Sequence, residues 1–278
     1  MTIAGDVRTA DGRSVRYYDS GEAPGVRATV FWHHGTPQTG RLLEPLAAAA
    51  GARGIRVVSC ARAGYEGTSP IGDRNVSDAA ADVVRVADAL GIARFGSIGA
   101  SGGGPHALAC AALAPERVSA VVTFAGVAPF ADEPGWFEGM VADGGLRSAR
   151  NGRSGRAAYA ETAEFDPNSF TPADFELLAG AWGVLGEDAQ RSAAQGADGE
   201  IDDDVALTKP WGFDLGDVVA PVLLVQGGED RVIPASHADR LLAGLPRAEL
   251  WFRPRDGHVS VLGALPVALD WFVEAVSR

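Results

Sequence analysis

Short apolar runs alternate with amphipathic stretches along this 278-residue chain, cease to do so near position 127, and resume near position 216. Before the break, positions 2–8 and 13–19 read as a strand pair joined at Asp11-Gly12, a dipeptide that favours tight hairpin turns. Positions 28–34 then read as a buried strand, 42–50 as a helix, 55–60 as a strand, and 77–90 as an amphipathic helix with Ser77 placed to cap it. The run 94–98 enters a glycine-rich turn, 105–113 is a helical stretch, and 119–125 is again apolar. After the break the pattern predicts a strand at 221–225, a helix at 236–245, a strand at 248–252 and a helix at 266–276. Strands alternating with helices form a largely parallel sheet covered on both faces, so the fold class is α/β.

The interruption divides the chain into a core of residues 1–126 and 216–278 and an insertion of residues 127–215. The insertion is mainly helix-like, is broken by Gly and Pro, and carries the bulky Trp136, Tyr159, Trp182 and Trp211. A chain of this length buries roughly three-quarters of the surface its unfolded form exposes, so its core needs neither disulfide nor metal. The two cysteines, Cys60 and Cys110, fall in apolar stretches and are expected to be buried free thiols.

The net charge of −12 opposes binding to nucleic acid and to anionic membranes, both of which require clustered cations. No apolar run reaches the length of about 18 residues that a membrane span needs. The opening residues lack the basic-then-apolar pattern of a secretory leader, so a cytoplasmic location is expected.

The chemistry begins at Gly99-Ala100-Ser101-Gly102-Gly103, between a predicted strand and a predicted helix. A serine in such a turn can be held in a strained backbone that presents its hydroxyl, while the glycines let neighbouring backbone pass. A serine nucleophile needs a base, and the base needs a carboxylate to orient it. Of the five histidines, His258 lies in a loop directly after the last predicted strand, whereas His106 and His237 fall on helices and His33 is expected to be a packed or half-buried residue of the strand at 28–34. Asp230 follows the strand at 221–225, with Glu229 as its neighbour and Asp132, after the preceding strand, in reserve. The order Ser101, Asp230, His258 is the nucleophile–acid–base order of the α/β-hydrolase arrangement, and all three follow strands, where open α/β sheets place their sites. For a developing oxyanion, Gly102 offers one backbone N–H, and the His33-His34-Gly35-Thr36-Pro37 loop offers a second, from Thr36. His34 is expected to support that loop, and Gly35 to permit close approach. Asp202-Asp203-Asp204 lacks the alternating ligands of a calcium loop and is expected to be a solvated loop or a helix N-terminus.

With His34-Gly35-Thr36-Pro37, Gly99-Ala100-Ser101-Gly102-Gly103, Gly227-Gly228-Glu229-Asp230 and Gly257-His258 in order, the chain resembles the α/β-hydrolase-fold serine hydrolases with a helical cap. The segment Cys60-Ala61-Arg62-Ala63-Gly64-Tyr65-Glu66-Gly67-Thr68-Ser69 resembles that family's glycine-rich loop after the following strand. The resemblance implies hydrolysis of an ester, thioester, lactone or related acyl bond in a small molecule, with no cofactor and no metal. It also implies that 127–215 caps the site and supplies part of the pocket, with Trp136, Trp182 and Trp211 as candidate lining residues. Dehalogenases and epoxide hydrolases of this fold carry aspartate where Ser101 stands. Proline iminopeptidases favour a second glycine where Thr36 stands, although Glu138, Glu161 and Glu164 offer acids for an amine. A same-triad lyase or perhydrolase, and a receptor that binds without turnover, stay open.

Overall fold

The computed structural model describes residues 2–22 and 25–277. Its strands are β1 (Ile3–Arg8), β2 (Ser14–Asp19), β3 (Ala28–His33), β4 (Ile55–Cys60), β5 (Phe95–Ala100), β6 (Val118–Phe124), β7 (Val222–Gly227) and β8 (Ala248–Arg253). They form one sheet in the order β1-β2-β4-β3-β5-β6-β7-β8. β2 runs antiparallel to β1 and β4, and all later pairings are parallel. The hairpin turns at positive-φ Gly12, with Thr9 N donating to Arg13 O at 3.0 Å.

The helices of the core are α1 (Glu44–Gly51), α2 (Asp78–Ala89), α3 (Gly103–Leu113), α10 (Ala235–Gly244) and α11 (Leu265–Val276); between β6 and β7 the chain forms α4 (Pro134–Phe137), α5 (Gly144–Ala149), α6 (Gly152–Ala160), α7 (Pro172–Ala179), α8 (Gly183–Ala193) and α9 (Asp198–Leu207). Ser77 occupies the N-cap position of α2, but its hydroxyl bonds Asn75 Oδ1 at 2.5 Å instead of capping the helix. The end of that helix is closed by Asp78, whose carboxylate accepts Asn75 N at 2.8 Å.

Adjacent residues of the central strands serve opposite faces, as the two-residue period of a strand requires. Phe31, Val58, Val121 and Leu224 pack with Val83 and Val86 of α2, Leu108 of α3 and Leu241 of α10. Val30, Val57, Val122 and Leu223 pack with Leu46 of α1 and Leu269 and Phe272 of α11. With both faces covered, β4 and β7 are buried along their whole length, including the polar Arg56, Ser59 and Gln226. Cys60 and Cys110 are free and buried. Among the described residues no helix is long and apolar enough to cross a membrane.

The register brings the loops of interest to one edge. Trp32 pairs with Ile98, Ala100 with Phe124, Phe124 with Val225, and Val225 with Trp251. The loops leaving β3, β5, β7 and β8 therefore emerge side by side at the carboxyl end of the sheet.

Candidate active site

Ser101 sits between β5 and α3 with φ +53°, a left-handed conformation that L-residues other than Asn and Asp rarely adopt. Its N–H donates to Phe124 O at 2.8 Å and its carbonyl accepts Gly104 N at 3.0 Å, which close the turn. The turn packs against the end of β3. A Cβ on Gly103 would lie 2.1 Å from the His33 carbonyl oxygen, so only glycine fits there. A Cβ on Gly102 would lie 2.6 Å from Thr36 Oγ1, which puts the Thr36 side chain directly against the residue after Ser101. Among the described residues, neither the Thr36 N–H nor the Gly102 N–H donates to a protein acceptor.

His258, in the loop after β8, meets Asp230, in the loop after β7, through an Nδ1–Oδ2 contact of 2.9 Å. Asp230 is buried, and its other oxygen accepts the backbone N–H groups of Val232 at 2.9 Å and Ile233 at 2.8 Å. Glu229 is exposed, and Asp132 is engaged at the surface by Arg150 at 2.5 Å. Asp230 is thus the carboxylate that reaches His258. Burial disfavours the His258 cation, but the charge and hydrogen bond of Asp230 outweigh it and raise the imidazole above its usual range.

The other histidines are committed elsewhere. His33 bonds Ser97 Oγ at 2.9 Å, and burial lowers it to about 3. His34 packs its Nδ1 on Gly35 O at 2.8 Å and accepts Arg62 N at 3.2 Å, which ties the Gly35 carbonyl to the loop after β4. His106 bonds Gly102 O, and His237 lies between Ala128 N and Trp136 O. Burial holds His34 and His106 well below the usual range, and His237 at about 4. Among the described residues no hydrogen bond joins Ser101 Oγ to His258; such contacts are often loose before substrate binds.

A family model described as the alpha/beta hydrolase fold matches residues 28–264. The chain belongs to the α/β-hydrolase family. This α/β hydrolase is 29% identical over 258 residues to the 2-hydroxy-6-oxononadienedioate/2-hydroxy-6-oxononatrienedioate hydrolase 1 of Dechloromonas aromatica (strain RCB), with 88% of this chain and 84% of that one covered. A relative of the same activity from Paraburkholderia xenovorans (strain LB400) is 29% identical over 264 residues, covering 91% and 87%. Among solved structures, an enol-lactonase from Burkholderia xenovorans LB400 matches with a TM-score of 0.71 at 19% identity, covering 99% of this chain and all of that one, a likeness of fold.

The insertion of this α/β hydrolase reaches the site with residues that sequence reasoning passed over. Leu207 of α9 would stand 3.7 Å from a Cβ on Gly102. The acidic run Asp202-Asp203-Asp204 is neither a solvated loop nor a helix start: it lies within α9, and Asp203 is completely buried. Its three carboxylates go to arginines, Asp202 to Arg153, Asp203 to Arg62 and Arg74, and Asp204 to Arg156. Asp174 of α7 accepts Val259 N and Ser260 N beside His258, and Asp188 of α8 accepts Thr39 N and its hydroxyl. The aromatic candidates are packed inward. Trp136 has no exposed surface and donates its indole N–H to Pro129 O at 3.0 Å, among Phe130, Phe137 and His237. Trp182 and Trp211 are 4% exposed and belong to the two cores.

Proposed function

We propose that this enzyme is a serine hydrolase that cleaves an ester, thioester, lactone or related acyl bond of a small molecule. The observation that carries the reading is the 2.9 Å His258–Asp230 pair at the sheet edge that also presents Ser101 on its left-handed turn. Because Nδ1 is given to Asp230, the basic lone pair is on Nε2, the nitrogen left to take the Ser101 proton. Ser101 Oγ attacks the carbonyl carbon, and the Thr36 and Gly102 N–H groups receive the oxyanion. His258 then protonates the leaving group, and water activated by the same imidazole releases the acid from the acyl-enzyme. Helices α4–α9 act as the cap over this site. No cofactor is called for by these steps.

Ser101→Ala is expected to lower turnover of a p-nitrophenyl ester by about 10⁶ and to abolish labelling by a fluorophosphonate. Labelling that survives in that variant rules the assignment out. The names of the two 29%-identical relatives favour a second reading, hydrolysis of a 6-oxo-dienoate. A ketone has no heteroatom leaving group, so its hydrolysis must break a carbon–carbon bond. Assaying esters, lactones and a 2-hydroxy-6-oxo-dienoate side by side, and identifying the acids released, separates the two.

A further inference from the structure

Behind the Thr36 loop lies a buried ionic cluster whose centre comes from the insertion. Asp203 of α9 receives Arg62 Nε at 3.0 Å and Arg74 Nη2 at 2.7 Å on Oδ1. Its Oδ2 receives Arg62 Nη2 at 2.5 Å, Thr36 Oγ1 at 2.6 Å and Tyr65 OH at 2.9 Å. Asp203 and the side chains of both arginines are almost wholly buried. Burial alone would neutralise Asp203, but Arg62 and Arg74 outweigh it and hold the carboxyl well below its usual range. The cluster is therefore charged and fixed, and breaking it by removing one partner is costly.

The arginine held by Asp203 also fixes the backbone ahead of Thr36. Arg62 donates from Nη1 to the His34 carbonyl, and from Nη2 to the Gly35 carbonyl at 3.2 Å and to Thr36 Oγ1 at 3.1 Å. In a trans peptide unit the C=O and N–H point in opposite directions. With the Gly35 carbonyl pinned by Arg62 and by His34 Nδ1, the Thr36 N–H of the same unit must face away from the arginine. The Thr36 side chain, clamped by Asp203, is also the group that abuts Gly102.

We propose that Asp203, supplied by the insertion, is a positioning residue for the oxyanion site: it holds Thr36 directly and Arg62 indirectly, and thereby aims the Thr36 N–H at the carbonyl attacked by Ser101. The inference rests on the serine-hydrolase reading. It makes α9 part of the catalytic apparatus and not only a cover over it.

The test is steady-state kinetics on a p-nitrophenyl ester together with the rate of fluorophosphonate labelling. Asp203→Asn keeps the shape and removes the charge. It is expected to lower kcat by about tenfold to a hundredfold, less than the ~10²–10³ lost when an oxyanion donor is deleted outright. KM should stay within about threefold, labelling should slow in parallel with kcat, and the acid-side midpoint of the pH profile should stay in place because the His258–Asp230 pair is untouched. Thr36→Val, which removes only the clamped hydroxyl, should lose more kcat than Thr36→Ser, which keeps it. A folded Asp203→Asn with kcat within twofold of the parent, a loss confined to KM, or a moved midpoint overturns the proposal. If Asp203→Asn fails to fold by circular dichroism, the Thr36 pair decides, and equal kcat in the two overturns it. Full activity in Ser101→Ala would instead overturn the serine-hydrolase reading, a distinguishable failure.

Discussion

Asp174 Oδ1, on helix α7 of the insertion, accepts the backbone N–H of Val259 at 2.8 Å, immediately after the candidate base His258. The same oxygen accepts Ser260 N at 2.6 Å and Ser260 Oγ at 2.8 Å, while Oδ2 closes the N-terminal box of α7 on Thr171. Removing this buried carboxylate leaves several donors without a partner, at roughly 1–3 kcal/mol for each group that water cannot reach. Asp174→Ala is expected to lower unfolding free energy by about 3 kcal/mol in urea titration and to reduce kcat through a loosened His258 loop. Burial raises the Asp174 carboxyl, but bonds from Ser260 and Thr171 outweigh it and leave it below its usual range. Its stabilisation is therefore present above the ordinary carboxylate range and lost as pH falls through the depressed native value. A urea midpoint equal to that of the parent at neutral pH counts against this account.

The pH profile tests the next contact. His258 must be neutral to accept the Ser101 proton, and its imidazole is held above 6.5 in the folded state. The acid limb of kcat/KM is expected to have its midpoint above 6.5, with activity lost below it. A raised native value also means that the pair stabilises the fold most below 6.5, and that this contribution fades as pH rises through the native value. Asp230→Asn removes the two main raising influences and leaves burial opposed only by the charge of Asp174, so the midpoint should fall while kcat drops by about 10⁴. An unmoved midpoint would detach His258 from Asp230 in function.

Ser101, Asp230 and His258 were legible because each sits in a short glycine-containing segment at a strand end, and strand ends are visible as breaks in apolar runs. The buried carboxylates that organise the same loops were not. Asp203 meets Thr36 across 167 residues and Arg62 across 141, and Asp174 meets Val259 across 85. No local pattern encodes such pairings. Three consecutive aspartates look solvated in a linear reading, yet a helix turns each residue by about 100°, so Asp203 points to Arg62 and Arg74 while Asp202 and Asp204, only 15% and 13% exposed, point to Arg153 and Arg156. The aromatic candidates carry a different ambiguity: Trp136 reads equally well as pocket wall or as core, and in the fold it is fully buried.

Close backbone contact at the serine turn makes a sharp pair of variants. A Cβ at Gly103 would meet His33 O at 2.1 Å and His34 O at 2.6 Å, both backbone atoms that cannot swing aside. Gly103→Ala is expected to cost about 3 kcal/mol in urea and to lower kcat by more than about 10², because relief requires β3 and the Ser101 turn to separate. Gly263, where an added Cβ meets nothing within 4 Å, is the control. Gly263→Ala should remain within about 0.5 kcal/mol of the parent. Equal behaviour of the two variants would mean that the turn is not sterically locked.

The left-handed backbone of Ser101 predicts a trade of stability for function at that one position. At φ +53° a side chain costs roughly 1–2 kcal/mol, while glycine escapes the clash but loses about 0.5–1 kcal/mol more in conformational entropy on folding. Ser101→Gly and Ser101→Ala should both be inactive, since neither carries a hydroxyl. They should nevertheless differ in stability, with the glycine variant about 0.5–1 kcal/mol above the alanine variant in urea unfolding. Alanine retains the Cβ and with it the strain, so the difference isolates the backbone from the chemistry. A glycine variant less stable than the alanine variant would show that the turn is relaxed. The hydroxyl would then be presented by the packing of Gly102 and Gly103 on the Thr36 loop alone.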